Sequence, residues 1–350
     1  MSGRFLAVAV MVLVAVLVIG VPIWRSGGPV RESAGVTEAV QATPDPPAGT
    51  RRAASGAPRP AGAGERPLPP LDAPLRLVID DLMRRADAGD VAAACRVAAE
   101  LERCGELRLT VGAFSATRRE MQRLADEAPE EHRHAFVSRL EEIEAMAATA
   151  ADETAHCAGI QEPDPGERAR YWRTAALGGH PAAVRHYAIG NAFRFDDMMG
   201  AVPELATYHN EAEAMARQAA MGGDLAMLHA LAMAYLPPDD TVPETARPGR
   251  RTFLAQVVRP DAGQALAVLF AMQRHPTVRG LPQAHRLRMV VDFGLERLLM
   301  QEDAATVSKA SAAADAWSRT WTPTREDPAE LGMFVNGGLS DVPREACGAG

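Results

Sequence analysis

Apolar residues follow two patterns along this chain: a short continuous run near its start and a helical periodicity after residue 71. In the second region, Ala- and Leu-rich segments recur with a period near 3.6 residues, and almost no segment alternates as a β-strand does. The pattern predicts an all-α domain over residues 74–321. We expect an irregular tail over residues 322–350.

The helical region contains an internal repeat. A shift of 44 residues aligns the segment that begins at Tyr171 with the segment that begins at Met215, and seven aligned residues are identical. A weaker copy lies 90 residues before the first of these segments. Each copy has the pattern of two antiparallel helices joined at a glycine. Such hairpins must stack to cover their apolar faces, so the sequence predicts a short right-handed superhelix, an α-solenoid.

The repeat assigns structural positions to five small residues. Gly89, Gly179 and Gly223 occupy the turn between the two helices, where the backbone often requires a positive φ. Ala175 and Ala219 lie on the first helices of their units, where a small side chain lets two antiparallel helices approach closely. We expect all five residues to be structural.

Further helices complete the predicted stack. A degraded unit is expected between the weak first copy and the two clear copies, with helices near residues 117–125 and 129–150. A later pair is expected, with one helix that starts at residue 261 and another over residues 282–300. A last helix over residues 303–317 would cap the stack.

The repeat resembles the Sel-one-like repeats of the tetratricopeptide superfamily, whose core pattern is roughly A-x-x-W/Y-x-x-A-A-x-x-G-x-x-x-A. The residues that fit in the better copy are Tyr171 or Trp172, Ala175, Ala176, Gly179 and Ala183. The next copy keeps Ala219, Ala220 and Gly223, but it has Met215 and Ala216 where the aromatic residue is expected and Met227 at the last alanine. The resemblance implies a protein-binding adaptor, often of a bacterial envelope, and it implies no catalytic residue.

The N-terminal apolar run predicts a membrane span. Residues 5–24 are uncharged and lie between Arg4 and Arg25, and at ~1.5 Å per residue they match the roughly 30 Å core of a bilayer. We expect an uncleaved signal-anchor in a bacterial inner membrane, with residues 1–4 in the cytoplasm and the helical domain in the periplasm. A cleaved secretory signal is the alternative. Residues 25–73, rich in Pro, Ala and Gly, are expected to form a disordered linker.

The charge of the chain narrows the class of partner. It has 37 basic and 45 acidic residues, which give a formal charge of −8, and Lys309 is its one lysine. Proteins that bind nucleic acid carry a basic face that follows the phosphates. The composition therefore disfavours nucleic acid as a partner.

The four cysteines are candidates for disulfides. They are Cys95, Cys104, Cys157 and Cys347. Buried free thiols and a zinc site that also uses His156 are the alternatives. Cys95 and Cys104 are nine residues apart on a predicted helix, a rise of roughly 13.5 Å, so they cannot pair with each other. We favour a bond between Cys104 and Cys157, and we expect no metal and no cofactor.

The leading functional hypothesis is a scaffold without catalysis that binds a protein or peptide partner of the cell envelope. Polar and aromatic residues on the first helices would form the binding surface, and these are Tyr171, Arg173, Thr174, Arg217 and Gln218. One alternative is an envelope hydrolase that uses the loop carboxylates Asp196 and Asp239 as acid and base. Another is a secreted repeat protein released by signal cleavage. His180 and Asp224 occupy equivalent positions, where we expect them to cap second helices.

Overall fold

The computed structural model of the protein describes most of the helical region. The described residues are 67–161, 164–194, 198–238, 252–321 and 342–348. The predicted membrane span over residues 5–24, the residues before it and the predicted linker up to residue 66 lie outside this part of the chain, as does most of the predicted tail. None of the described helices combines the length and the apolar character that crossing a bilayer requires.

The described residues fold into helices, and for this part of the chain the prediction of an all-α fold is confirmed. The α-helices are α1 (Leu75–Asp87), α2 (Val91–Glu127), α3 (Glu130–His156), α4 (Pro165–Leu177), α5 (Pro181–Ile189), α6 (Val202–Met221), α7 (Leu225–Tyr235), α8 (Phe253–Val257), α9 (Ala262–Arg274), α10 (Pro276–Gly280), α11 (Arg286–Gln301) and α12 (Ala304–Ser318). Short 3-10 helices span Met198–Ala201 and Arg344–Gly348.

The helices pack mainly in chain order, as pairs joined by short turns. Helix α2 packs against α1 and then against α4, α5 contacts α4 and α6, and α7 contacts α6 and α9. Helix α9 in turn packs against α11 and α12. One apolar core runs through these contacts, and its largest fully buried side chains include Trp172, Tyr187 and Tyr208.

The prediction of a separate short unit after the first copy is correct for its second helix, expected over residues 129–150, which is α3, and wrong for its first. Helix α2 continues unbroken for 37 residues, so the helix expected near residues 117–125 is its last part, and the 27-residue α3 packs along it. The reason is that no proline lies between Pro74 and Pro129 to stop the helix. We call residues 105–156, the part of this long hairpin beyond Cys104, the arm.

Two disulfides fix α2 to other segments. Cys104 is bonded to Cys157, with 5.6 Å between the two Cα atoms, and this bond closes the base of the arm. Cys95 is bonded to Cys347, with 5.4 Å between the Cα atoms, and this bond holds the 3-10 helix Arg344–Gly348 against α2. The bond favoured between Cys104 and Cys157 is present, and Cys95 does not pair with Cys104. The alternative of a zinc site is wrong, because the three sulfur atoms that it requires are bonded to other sulfur atoms.

Each repeat turn ends its first helix with a glycine in the left-handed region. The φ angles are +90° at Gly89, +86° at Gly179 and +93° at Gly223. The amide after each of the last two glycines closes the turn, since His180 N–H donates to the carbonyl of Ala175 at 3.1 Å and Asp224 N–H donates to that of Ala219 at 3.1 Å. Ala175 is fully buried, and Ala219 is partly buried against the core.

We expect Gly223→Ala to destabilise the protein more than Gly179→Ala, although both replacements meet similar backbone strain. A Cβ atom at position 223 would lie 2.9 Å from Cγ of Trp321, whereas nothing lies within 4 Å of a Cβ atom at position 179. Positive φ alone should make the replacement at Gly179 cost about 1 kcal/mol of unfolding free energy. Urea denaturation of both variants gives the two losses, and equal losses would contradict the contact with Trp321.

Candidate binding face

Tyr171, the aromatic residue among the five predicted binding residues, lies inside the fold. Its side chain is buried in α4, and its hydroxyl donates to Asp87 Oδ1 of α1 at 3.4 Å. Burial and the charge of Asp87 raise the pKa of Tyr171 to about 12. Tyr171 therefore packs α4 against the first unit and presents little surface to a partner.

Arg173 of α4 bridges to the next first helix, α6. Its Nε donates to Glu211 Oε1 at 2.6 Å and its Nη2 donates to Glu211 Oε2 at 2.9 Å, which is the bidentate geometry that an arginine and a carboxylate favour. Tyr187 of α5 donates its hydroxyl to the same Oε1 at 2.8 Å. The three side chains connect three helices of two successive units.

Arg217 of α6 reaches the next first helix, α9, through a neutral partner. Its Nη1 donates to the hydroxyl of Tyr235 at 3.1 Å and to Gln264 Oε1 at 3.2 Å. Tyr235 of α7 donates in turn to Glu213 Oε1 at 2.6 Å. In both units an arginine of a first helix, with a tyrosine of the following second helix beside it, reaches the first helix of the next unit.

Four predicted binding residues on the two first helices keep some exposure, and we call these positions the bridge face: Arg173, Thr174, Arg217 and Gln218. The side chains of Arg173 and Arg217 keep 39% and 34% of their area exposed. Thr174 is half-buried, and Gln218, at the equivalent position of the next unit, is exposed. The arginines thus have a packing role that the sequence interpretation missed, and part of each side chain still faces solvent.

A buried ionic cluster lies around Glu102 of α2, on the side that faces the repeat units. Trp172 Nε1 donates to Glu102 Oε2 at 2.8 Å, His186 Nε2 lies 2.9 Å from the same oxygen, and Arg194 Nη1 donates to Oε1 at 3.4 Å. Burial raises the pKa of Glu102. Two other effects lower it more: a hydrogen bond from His186 and the positive charges of His186, Arg168 and Arg194. The pKa of Glu102 therefore lies below its ordinary value. The carboxylate stays ionised at neutral pH.

A second cluster surrounds Glu100, two residues earlier on the same helix. Its side chain is fully buried and accepts from Arg96 Nε at 2.7 Å. His156 Nε2 at the end of α3 lies 3.0 Å from Glu100 Oε2, and Arg344 of the C-terminal 3-10 helix lies 3.7 Å from it. Glu100 therefore connects the two segments that the disulfides also hold against α2.

Both clusters are built for packing, because their carboxylates are closed off from solvent. Glu100 is 0% exposed, Glu102 is 3% exposed and His186 is 0% exposed. No trio of His, Cys, Asp or Glu residues among the described residues is arranged to hold a metal ion. Asp196 and Asp239, the carboxylates of the hydrolase alternative, lie outside the described part of the chain, and their role stays a prediction.

The expectation for the two capping residues holds at one position only. Asp224 caps α7 by accepting from Met227 N–H at 3.0 Å, and its other oxygen accepts from Arg185 Nε at 2.6 Å. His180 begins α5 but its side chain accepts no helix amide. Its imidazole is buried beside the backbone of Cys347, and burial lowers the pKa of His180.

His229 should make the protein sensitive to mild acid. Burial in α7 lowers the pKa of His229 to about 4, whereas the unfolded chain binds the proton near pH 6.5. The neutral imidazole therefore contributes its full stabilisation at pH 7. As the pH falls from about 6.5 to about 4, this contribution is lost, and the free energy of unfolding decreases by about 3 kcal/mol in total.

Urea denaturation at neutral and acid pH tests this prediction. The variant His229→Leu should lose about 3 kcal/mol less than the parent between pH 7 and pH 4. His209→Gln, which removes an exposed histidine of α6, should follow the parent. If His229→Leu and the parent lose the same stability on acidification, His229 is not the group that senses the pH.

Comparison with known proteins identifies no relative. The chain matches no protein-family model, no curated protein and no solved structure.

Proposed function

We propose that this protein is a membrane-anchored scaffold that faces the periplasm and binds a protein or peptide partner without catalysis. In this proposal its helical hairpins are Sel-one-like repeats that form a short right-handed α-solenoid. The bridge face is the binding surface, and residues 5–24 hold the chain in the bacterial inner membrane.

The repetition of the bridge face carries the proposal. Arg173 and Arg217, at equivalent positions of successive units, each reach the first helix of the next unit, and Thr174 and Gln218 follow them in the chain. A row of like groups at a regular interval suits an extended chain, whose own donors and acceptors also recur regularly. A guanidinium group has five N–H donors, so each arginine can hold its neighbouring helix and still donate to the carbonyl oxygen of a bound peptide.

The two disulfides support the proposed compartment. Paired cysteines persist in the periplasm and in secreted proteins, and they are rare in the reducing cytoplasm. The uncharged run before the linker supports attachment to the membrane.

Photo-crosslinking in cells tests the binding face. A photoreactive amino acid at Gln218, in the full-length chain, should give adducts of defined mass in the envelope fraction after irradiation. The same amino acid at Glu131, which is exposed at the start of α3, is the control and should give none of these adducts. The absence of adducts at Gln218, or the same adducts from both positions, would refute the bridge face as the binding surface.

Carbonate extraction with N-terminal sequencing tests the anchor separately. The full-length chain should stay in the membrane pellet and keep its residues before 25. A mature chain that begins near residues 21–28 would instead support the secreted alternative.

A further inference from the structure

Helix α11 carries a row of exposed side chains that the fold leaves uncovered. The row consists of Arg286, Met289, Phe293, Glu296, Met300 and, just after the helix, Asp303, and all six are exposed. Its three apolar members are largely in solvent, with 50% of Met289, 66% of Phe293 and 77% of Met300 accessible. The opposite side of the helix is the one that packs into the core, through Leu287, Val291, Leu295 and Leu298.

The spacing of this row is that of a coiled-coil seam. Positions 286, 293 and 300 recur every seven residues, and so do positions 289, 296 and 303. The two sets alternate in steps of three and four, as the a and d positions of heptads do. A helix with this spacing has one face suited to pairing with another helix along its length.

The row is complementary to itself when two copies run antiparallel. Residue 286 then faces residue 303 of the second copy, residue 289 faces residue 300, and residue 293 faces residue 296. The end pairs join Arg286 to Asp303, and the next pairs join Met289 to Met300. Phe293 meets the aliphatic part of Glu296, whose carboxylate reaches solvent at the edge of the seam.

The charges at the ends of α11 favour a partner of this kind. The first turn holds Arg286 and Arg288 and no acidic residue, and the last turn has no basic residue. A helix dipole prefers the reverse, with acids at the start and bases at the end. Arg288 is already engaged within its own chain by Leu281 and Asp292. In an antiparallel pair Arg286 at the start of each helix lies beside Asp303, which follows the other helix, so the charge at the start of α11 that opposes its dipole meets an opposite charge.

We propose that the exposed row of α11 is the contact surface of a two-fold dimer, in which α11 packs antiparallel against α11 of a second copy of this chain. The contact is isologous, so it closes without further growth. It uses a helix remote in sequence from the bridge face, and it stands or fails independently of the proposed function.

Mixed cysteine cross-linking tests both the contact and its direction. The four native cysteines are already bonded, so Met289→Cys and Met300→Cys each add one free thiol. Antiparallel pairing places position 289 beside position 300 of the second copy and separates the two 289 positions by roughly 16.5 Å, too far for a disulfide. The two full-length variants, with different tags, are mixed in a non-ionic detergent and oxidised. We expect a covalent dimer that carries both tags, and little dimer from either variant alone.

Each other outcome overturns the proposal. Covalent dimers from each variant alone would indicate a parallel pair. The yield of covalent dimer could instead be equally low in the mixture and in the separate variants, with a monomeric mass in analytical ultracentrifugation. That result would show that no second copy covers the row, which would then be covered by a segment of the same chain, by another protein or by nothing.

Two further variants measure the contribution of the apolar seam. Phe293→Glu should weaken self-association at least about tenfold, because each copy buries this ring, and Glu296→Leu should strengthen it. Leu77→Glu is the matched control, because Leu77 is 70% exposed on α1 and lies outside the row. It should leave the dimer unchanged. Equal association of the Phe293→Glu variant and the parent would also refute the contact.

Discussion

Replacing Glu102 with alanine is expected to lower the free energy of unfolding by about 3–5 kcal/mol, the range measured when one partner of a buried ion pair is removed. The change leaves Trp172 Nε1 without its acceptor and leaves the positive groups of Arg168 and Arg194 without the buried carboxylate between them. Urea denaturation with the disulfides intact gives the value. The expected loss is large because Trp172, His186 and Arg168, which remain around the vacated position, are buried away from water.

Glu127→Ala is the matched control on the same helix. Glu127 pairs with Arg123 at 2.7 Å, but its side chain is 61% exposed, so its loss should change stability by less than about 1 kcal/mol. Losses of similar size at Glu102 and Glu127 would mean that the cluster around Glu102 is hydrated in solution. They would also contradict its assignment as a packing element.

Removal of the bond between Cys95 and Cys347 is expected to lower the free energy of unfolding by an amount similar to that expected for Glu102→Ala. The bond joins residues that are 252 positions apart, and in the chain-entropy account a loop of this length contributes up to about 5 kcal/mol. The variant replaces both cysteines with alanine so that no unpaired thiol remains. Its 3-10 helix loses its covalent attachment to α2, and Arg344 can leave Glu100, so urea denaturation should show a lower midpoint.

The second disulfide supplies the comparison. Alanine at both Cys104 and Cys157 removes a bond between residues 53 positions apart, which contributes up to about 4 kcal/mol. If the variant without Cys95 and Cys347 unfolds at the urea concentration of the parent while this second variant does not, the long-range bond does not form in the native protein. Peptide mapping without reduction checks both pairings directly.

The parts of the fold that the sequence predicts are those encoded by local spacing. Alanine and glycine recur at fixed positions in two units, and α4 to α7, with their glycine turns, lie where that recurrence indicates. The exclusion of a bond between Cys95 and Cys104 follows from a local argument too, because nine residues of helix separate them. In each case the information lies within a few tens of residues.

The bridges between units and the burial of Glu100 depend on partner residues far away in the sequence, at separations that no repeated pattern encodes. Arg173 meets Glu211 38 residues later, whereas Arg217 meets Gln264 47 residues later, so the bridges do not share the 44-residue shift of the repeat. Glu100 stands in a helical segment where a charged residue ordinarily indicates the solvent side. Its burial depends on cations from α3 and from the C-terminal segment, which only the folded chain brings together.

The arm and the disulfide at its base determine what proteolysis of this protein produces. Its buried apolar side chains are few, and Leu107, Ala125 and Ile143 are the main ones, so its two helices should open locally at a lower free energy than the rest of the fold. A protease that reaches the arm in this open state severs the chain near its tip, around Pro129. The bond between Cys104 and Cys157 lies on the body side of that cut, so the two fragments remain one covalent molecule. They separate only when a reductant is added.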